Sequence, residues 1–139
     1  MDLNEEQMMP NVLIELRNQF SKEKEIAMMK AVYDSLTLIF KVSTESITIR
    51  LQIHEPHRFI CPPNLTEPQF YTLITIDCLA GRTLDTKRKL YQEIVKKIEI
   101  LGIPKNHIKI IIRELQKENC GVRGGQTLCD IDLGFEINI

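Results

Sequence analysis

Two stretches of this chain, IRLQIHE ending at Glu55 and IKIIIRE ending at Glu114, overlay at a separation of 59 residues, and each closes the same succession of local patterns. The first copy opens with VLIEL, which reads as a strand. Ser21 then stands as an N-cap before KEKEIAMMKAVYDSLTLIF, where Ile26, Met29, Tyr33, Leu36 and Phe40 recur at helical spacing. In SITIRLQIHE the apolar Ile47, Ile49, Leu51 and Ile53 alternate with Thr48, Arg50, Gln52 and His54, the period of a half-buried strand. After the proline-rich connector PHRFICPPNLTEP the order returns. FYTLITIDCL reads as a strand, TLDTKRKLYQEIVKKIEIL as a helix and HIKIIIRE as a strand. The second helix carries Tyr91, Ile94, Val95, Ile98 and Leu101 on one face, and Gly102 with Pro104 ends it.

A duplicated β-α-β element leaves few folds open. Parallel strands joined by a right-handed helical crossover put both helices on one side of a sheet. The expectation is an α+β fold, a four-stranded sheet backed by two helices. At 139 residues one domain is expected, from residue 10 to residue 139. Its parts are a first repeat of about 10–55, a connector of about 56–69, a second repeat of about 70–114 and a C-terminal arm, 115–139. In that arm Ile131, Leu133, Phe135, Ile137 and Ile139 alternate as in a further strand or hairpin arm. Residues 1–9, polar and acidic over MDLNEEQ, read as a mobile extension or a start-site artefact. A sheet with helices on one side needs cover on the other, and oligomerisation is the economical answer.

Composition excludes several classes of function. Eighteen basic and 19 acidic side chains give a formal net charge of -1, so there is no electrostatic footprint for nucleic acid or an anionic membrane. Neither a leading apolar segment nor a run long enough to span a bilayer is evident, and the expected location is cytoplasmic. Cys61, Cys78, Cys120 and Cys129 are scattered without a C-x-x-C pair and read as free thiols. His54 and His57 near Cys61 lack an evident fourth ligand, and Pro56 breaks their local geometry, so a surface loop is expected and no metal. ENCGVRGG is glycine-rich without the lysine and hydroxyl residue of a phosphate loop, and reads as a turn.

Four passages in order, PNVLIEL, AGRTLDTKRKLYQEIV, HIKIIIRE and ENCGVRGGQ, resemble the tautomerase superfamily across essentially Pro10 to Ile139. The duplicated length is similar to that of its longer members, such as malonate semialdehyde decarboxylase. The resemblance implies a homotrimer whose sheets line a central barrel, no metal or organic cofactor, and a small carboxylate as substrate. It also implies that Pro10, as a free amino-terminal secondary amine, shuttles a proton next to a carbonyl. An acylated proline nitrogen has no such lone pair, so this role requires that Met9 be the initiator and be removed. A chain that keeps residues 1–9 would instead hold Pro10 as a structural proline at a strand entrance, in a non-enzymatic binding module.

By the same resemblance Arg82 in AGRT binds a substrate carboxylate, although an arginine just before a helix cap can equally be a solvated one. Lys109 falls where relatives carry a second arginine that polarises the carbonyl, and Arg50 is its counterpart in the first repeat. Either could also be an exposed residue or an intersubunit ion pair. Cys120 stands near a place where relatives have an aromatic pocket wall, and a buried inert thiol is its other reading. Where malonate semialdehyde decarboxylase has two arginines one residue apart, this chain has Asp77 and Leu79, which weighs against decarboxylation as its reaction.

Overall fold

The computed structural model of the protein describes residues 10–131. The alternating segments become strands β1 (Asn11–Leu16), β2 (Thr48–Ile53), β3 (Thr72–Leu79) and β4 (Ile108–Leu115), and the periodic ones become helices α1 (Lys22–Ser35) and α2 (Leu84–Glu99). β1 runs parallel to β2, and β3 runs parallel to β4. The two parallel pairs join through an antiparallel β1–β3 ladder, so the order across the sheet is β2-β1-β3-β4. Each repeat is thus one β-α-β unit, and the two lie side by side, turned end for end.

Both helices close over one face of that sheet. Val12, Ile14 and Leu16 from β1 and Ile74, Ile76 and Cys78 from β3 are buried with Met28, Val32 and Leu36 from the first repeat and Leu90, Ile94 and Ile98 from α2. Their near-complete removal from water is the main driving term for the fold. The opposite face carries three cross-strand rows: Thr48, Asn11, Asp77 and Arg113; then Arg50, Leu13, Thr75 and Ile111; then Gln52, Glu15, Leu73 and Lys109. All twelve residues are half-buried or exposed.

The helix starts have the expected chemistry. Ser21 Oγ accepts the Lys24 amide at 3.1 Å, and Thr83 Oγ1 accepts that of Thr86 at 3.2 Å, each satisfying a donor that the first turn leaves without an intrahelical partner. Beyond α2, Gly102 takes φ 96°, a left-handed conformation that favours glycine.

Three details differ from the sequence reading. The first helix changes character after Ser35, and Leu36–Phe40 form a π-helical turn that closes through Lys41 at φ 56°. The face α1 buries is Met28, Ala31, Val32 and Ser35, whereas Ile26 is 50% exposed and lines an open groove with Met29, Tyr33, Ile47 and Ile49. Ser35 hid this face from the periodicity, because a serine is buried here only by donating its hydroxyl to the Ala31 carbonyl at 2.7 Å. On α2, Leu90 completes the buried stripe, and Tyr91 and Val95 border a shallow outer groove.

The connector is folded rather than loose. Two short 3₁₀ turns, Pro56–Arg58 and Pro68–Phe70, are tied by Arg17, whose Nη2 donates to Pro56 O at 3.1 Å and whose Nη1 donates to Pro68 O at 3.3 Å. His54 pairs with Glu15 at 2.8 Å. No group of three metal-ligating side chains is assembled among the described residues, and no helix among them is long and apolar enough to cross a membrane. Nearly all of the alternating tail, 132–139, and the extension 1–9 lie outside the described residues.

Candidate functional site

Pro10 is buried at the entrance of β1, and its carbonyl accepts the Thr48 amide at 3.1 Å. The antiparallel ladder pairs Asn11 with Asp77, so one further step along it brings Pro10 level with Cys78. That is the end of β3 from which the chain turns through Ala80 and Gly81 into Arg82 and the Thr83 cap. Pro10 and Arg82, more than 70 positions apart in the chain, therefore share one end of the sheet because β1 and β3 are antiparallel.

Arg82 is not a solvated surface arginine. It is 5% exposed, its Nη1 donates to Leu79 O at 3.1 Å, and its guanidinium carbon lies 4.6 Å from the centre of the Phe40 ring. Burial lowers its pKa, while nearby Cys78 and Glu114 act to raise it. Burial also pushes the Cys78 thiol upward, against the pull of Arg82, which favours its neutral form. A buried guanidinium demands compensation by hydrogen bonds and anions, which is the setting in which a carboxylate ligand binds strongly.

Two ion pairs occupy the same end. Arg113 holds Asp77 with Nε to Oδ1 at 2.6 Å and Nη2 to Oδ2 at 2.9 Å, and this hydrogen bonding raises the arginine's pKa. Lys87 of α2 meets Glu114 of β4 at 3.0 Å. Glu114 is therefore engaged with an ammonium group and is not poised over the Pro10 end as an isolated base.

The glycine-rich segment is a hairpin of two short strands, β5 (Gly121–Val122) and β6 (Gln126–Thr127). Arg123, Gly124 and Gly125 take φ 48°, 74° and 108°, a run of left-handed residues that explains the glycines. Cys120 at its base is half-buried and packs on a small cluster of Leu79, Leu128 and Ile131. Burial raises its pKa, with Cys129 adding to the effect. A cavity of about 310 Å³ opens beside this cluster, lined by Leu79, Ala80, Leu115 and the 116–118 segment, and by Cys129 in place of Cys120.

Arg50 and Lys109 stand on the two edge strands. Arg50 stands opposite Leu13 on the edge strand β2, and Lys109 stands opposite Leu73 at the beginning of β4, at the end of the sheet remote from Pro10. Both project from the face without helices. Within one chain the fold puts Pro10 and Arg82 at the same end of the sheet and Lys109 at the other. Sequence reasoning missed Phe40 and Cys129. Phe40 looked like one more core position of a helix, and no residue pattern announced the π turn that carries it.

Comparison with known proteins bears on this arrangement. A family model described as tautomerase enzyme matches residues 46–123, more than half of the chain. A symmetric trimer of wild-type fused 4-OT is 19% identical with a TM-score of 0.76, covering 86% of this chain and 96% of that one. FG41 malonate semialdehyde decarboxylase inhibited by 3-bromopropiolate is 23% identical with a TM-score of 0.67, covering 79% and 86%. Another malonate semialdehyde decarboxylase, described with decarboxylase and hydratase activities, is 14% identical with a TM-score of 0.72, covering 81% and 91%. At these identities the solved structures share the fold with this chain.

Proposed function

This chain belongs to the tautomerase family, and from that premise we propose that it is an isomerase moving a proton on a small 2-oxo or enol carboxylate. Pro10, once its nitrogen is exposed, is the general base. A free α-amino group has a reference pKa of about 8, and an apolar pocket beside cations lowers it towards working pH, where the neutral amine can take a proton from carbon. The same nitrogen then returns the proton elsewhere on the conjugated system.

The observation that carries this reading is that Pro10 and the buried Arg82 lie at the same end of the sheet in a tautomerase fold. In the reading, Arg82 holds the substrate carboxylate through paired N–H donors. Arg50, with Lys109 at the equivalent position, supplies positive charge to the developing enolate from another subunit of a homotrimer. The fused 4-OT relative is a trimer. In the reading, the Leu79, Leu128 and Ile131 cluster on which Cys120 packs backs the pocket, and Cys129 lines it.

Decarboxylation or hydration is the second reading, favoured by the likeness to the malonate semialdehyde decarboxylases. Against it, Asp77 brings a carboxylate already engaged by Arg113 to a position where an arginine pair would be needed.

The test is a preparation beginning at Pro10 assayed on an enol pyruvate. Tautomerisation should be lost when Met9 is retained and reduced by orders of magnitude in Pro10→Ala. Equal activity with and without a blocked Pro10 overturns the mechanism.

A further inference from the structure

The two helices end differently, although the repeats are duplicates. Beyond Glu99, α2 gives way to a turn closed by Gly102, whereas α1 widens into the π turn Leu36–Phe40 and closes through Lys41 at φ 56°. A left-handed lysine is an uncommon and mildly strained way to leave a helix, and single π turns concentrate at functional sites. The strain coincides with one geometric result. Phe40, the last residue of the turn, is fully buried with its ring 4.6 Å from the Arg82 guanidinium carbon.

A ring face attracts a guanidinium laid against it, and more so when both are out of water. From another direction the Leu79 carbonyl accepts from Nη1 at 3.1 Å. The ring and the carbonyl both restrain the long, flexible arginine side chain. Preorganisation of this kind lowers the ordering cost of binding without adding a contact to the ligand.

We propose that Phe40 is a positioning residue, and that the π turn serves to seat its ring against Arg82 so that the guanidinium is held in place for a substrate carboxylate. This rests on the reading of Arg82 as the carboxylate holder. Phe40 itself touches no substrate.

The experiment measures oxalate affinity by isothermal titration in the trimmed protein, using Phe40→Leu, Phe40→Tyr, Arg82→Ala and the Phe40→Leu/Arg82→Ala double variant. Oxalate probes the carboxylate site without chemistry at Pro10. Phe40→Leu should weaken oxalate about fivefold to tenfold, Phe40→Tyr should stay within about twofold, and the double variant should bind no worse than Arg82→Ala alone. In assays with an enol pyruvate, Phe40→Leu should raise KM while kcat changes little. Oxalate binding unchanged in Phe40→Leu but lost in Arg82→Ala overturns the role of Phe40 alone. Losses that multiply in the double variant also overturn it, because they mark a general packing effect. Unchanged binding in Arg82→Ala overturns the role of Arg82 and that of Phe40 with it. The Arg82 Nε–H proton resonance gives a readout without ligand: it should lose its ring-current shift in Phe40→Leu and keep it in Phe40→Tyr, and a shift retained in Phe40→Leu overturns the stack.

Discussion

Ile14 faces Ile74 across the antiparallel β1–β3 ladder, and these two residues, 60 positions apart, are each other's equivalents in the duplication. A pseudo-twofold axis therefore passes between them. It relates the Arg50–Leu13 pairing to the Lys109–Leu73 pairing, so the two basic residues occupy matching places on opposite edge strands. Both isoleucines are fully buried.

Truncation at the axis should be costly. Ile14→Ala and Ile74→Ala should each destabilise by about 2–5 kcal/mol, and as direct neighbours their losses should not add in the double variant. Urea unfolding followed by circular dichroism measures this. Losses below about 1 kcal/mol would mean that the ladder is not the centre of the core.

The matched helix caps make a second pair. Ser21→Ala and Thr83→Ala should each cost about 1 kcal/mol, because each removes the acceptor of one first-turn amide. Equal unfolding midpoints in variant and parent would show that water replaces the hydroxyl without loss.

Arg50 and Lys109 can be separated by kinetics in the protein that begins at Pro10. Arg50→Gln should lower kcat/KM about tenfold or more, while Lys109→Gln, lacking the bidentate geometry in the parent, should change it little. The reverse ranking would move the functional cation to the second repeat.

The thiols should differ in reactivity and in their link to stability. Alkylation of the native protein should modify exposed Cys129 first and buried Cys78 last. Burial raises the Cys78 pKa above its ordinary 9.0, so the folded state favours the protonated thiol. The resulting stability is fully present below that ordinary value and is lost as pH rises through the higher folded value. Thermal unfolding scans between pH 8 and pH 11 should therefore show a smaller alkaline loss in Cys78→Ala than in the parent. An identical pH slope would remove Cys78 from the alkaline response.

Much of the architecture was legible because it rests on local periods. Alternation in SITIRLQIHE and HIKIIIRE marks strands, and Ser21 and Gly102 mark helix limits by chemistry that acts over three or four residues. The buried stripe of α1 was misread because Ser35 counts as polar until its hydroxyl finds the Ala31 carbonyl one turn away. Tyr91 and Val95 carry the right spacing yet border an outer groove, since periodicity gives the direction of a stripe more reliably than its depth.

The sequence by itself determined the duplicated β-α-β order, the sheet with both helices on one side and the resemblance that marks Pro10 and Arg82, because these are carried by short-range patterns and contiguous motifs. Only the tertiary structure decided the rest. Antiparallel pairing of β1 with β3 brings Pro10 to the Arg82 end, the β4 register carries Lys109 to the opposite end, and the π turn lays the Phe40 ring against a buried guanidinium. Those relations join residues tens of positions apart through packing and ladder register, and no local period encodes either.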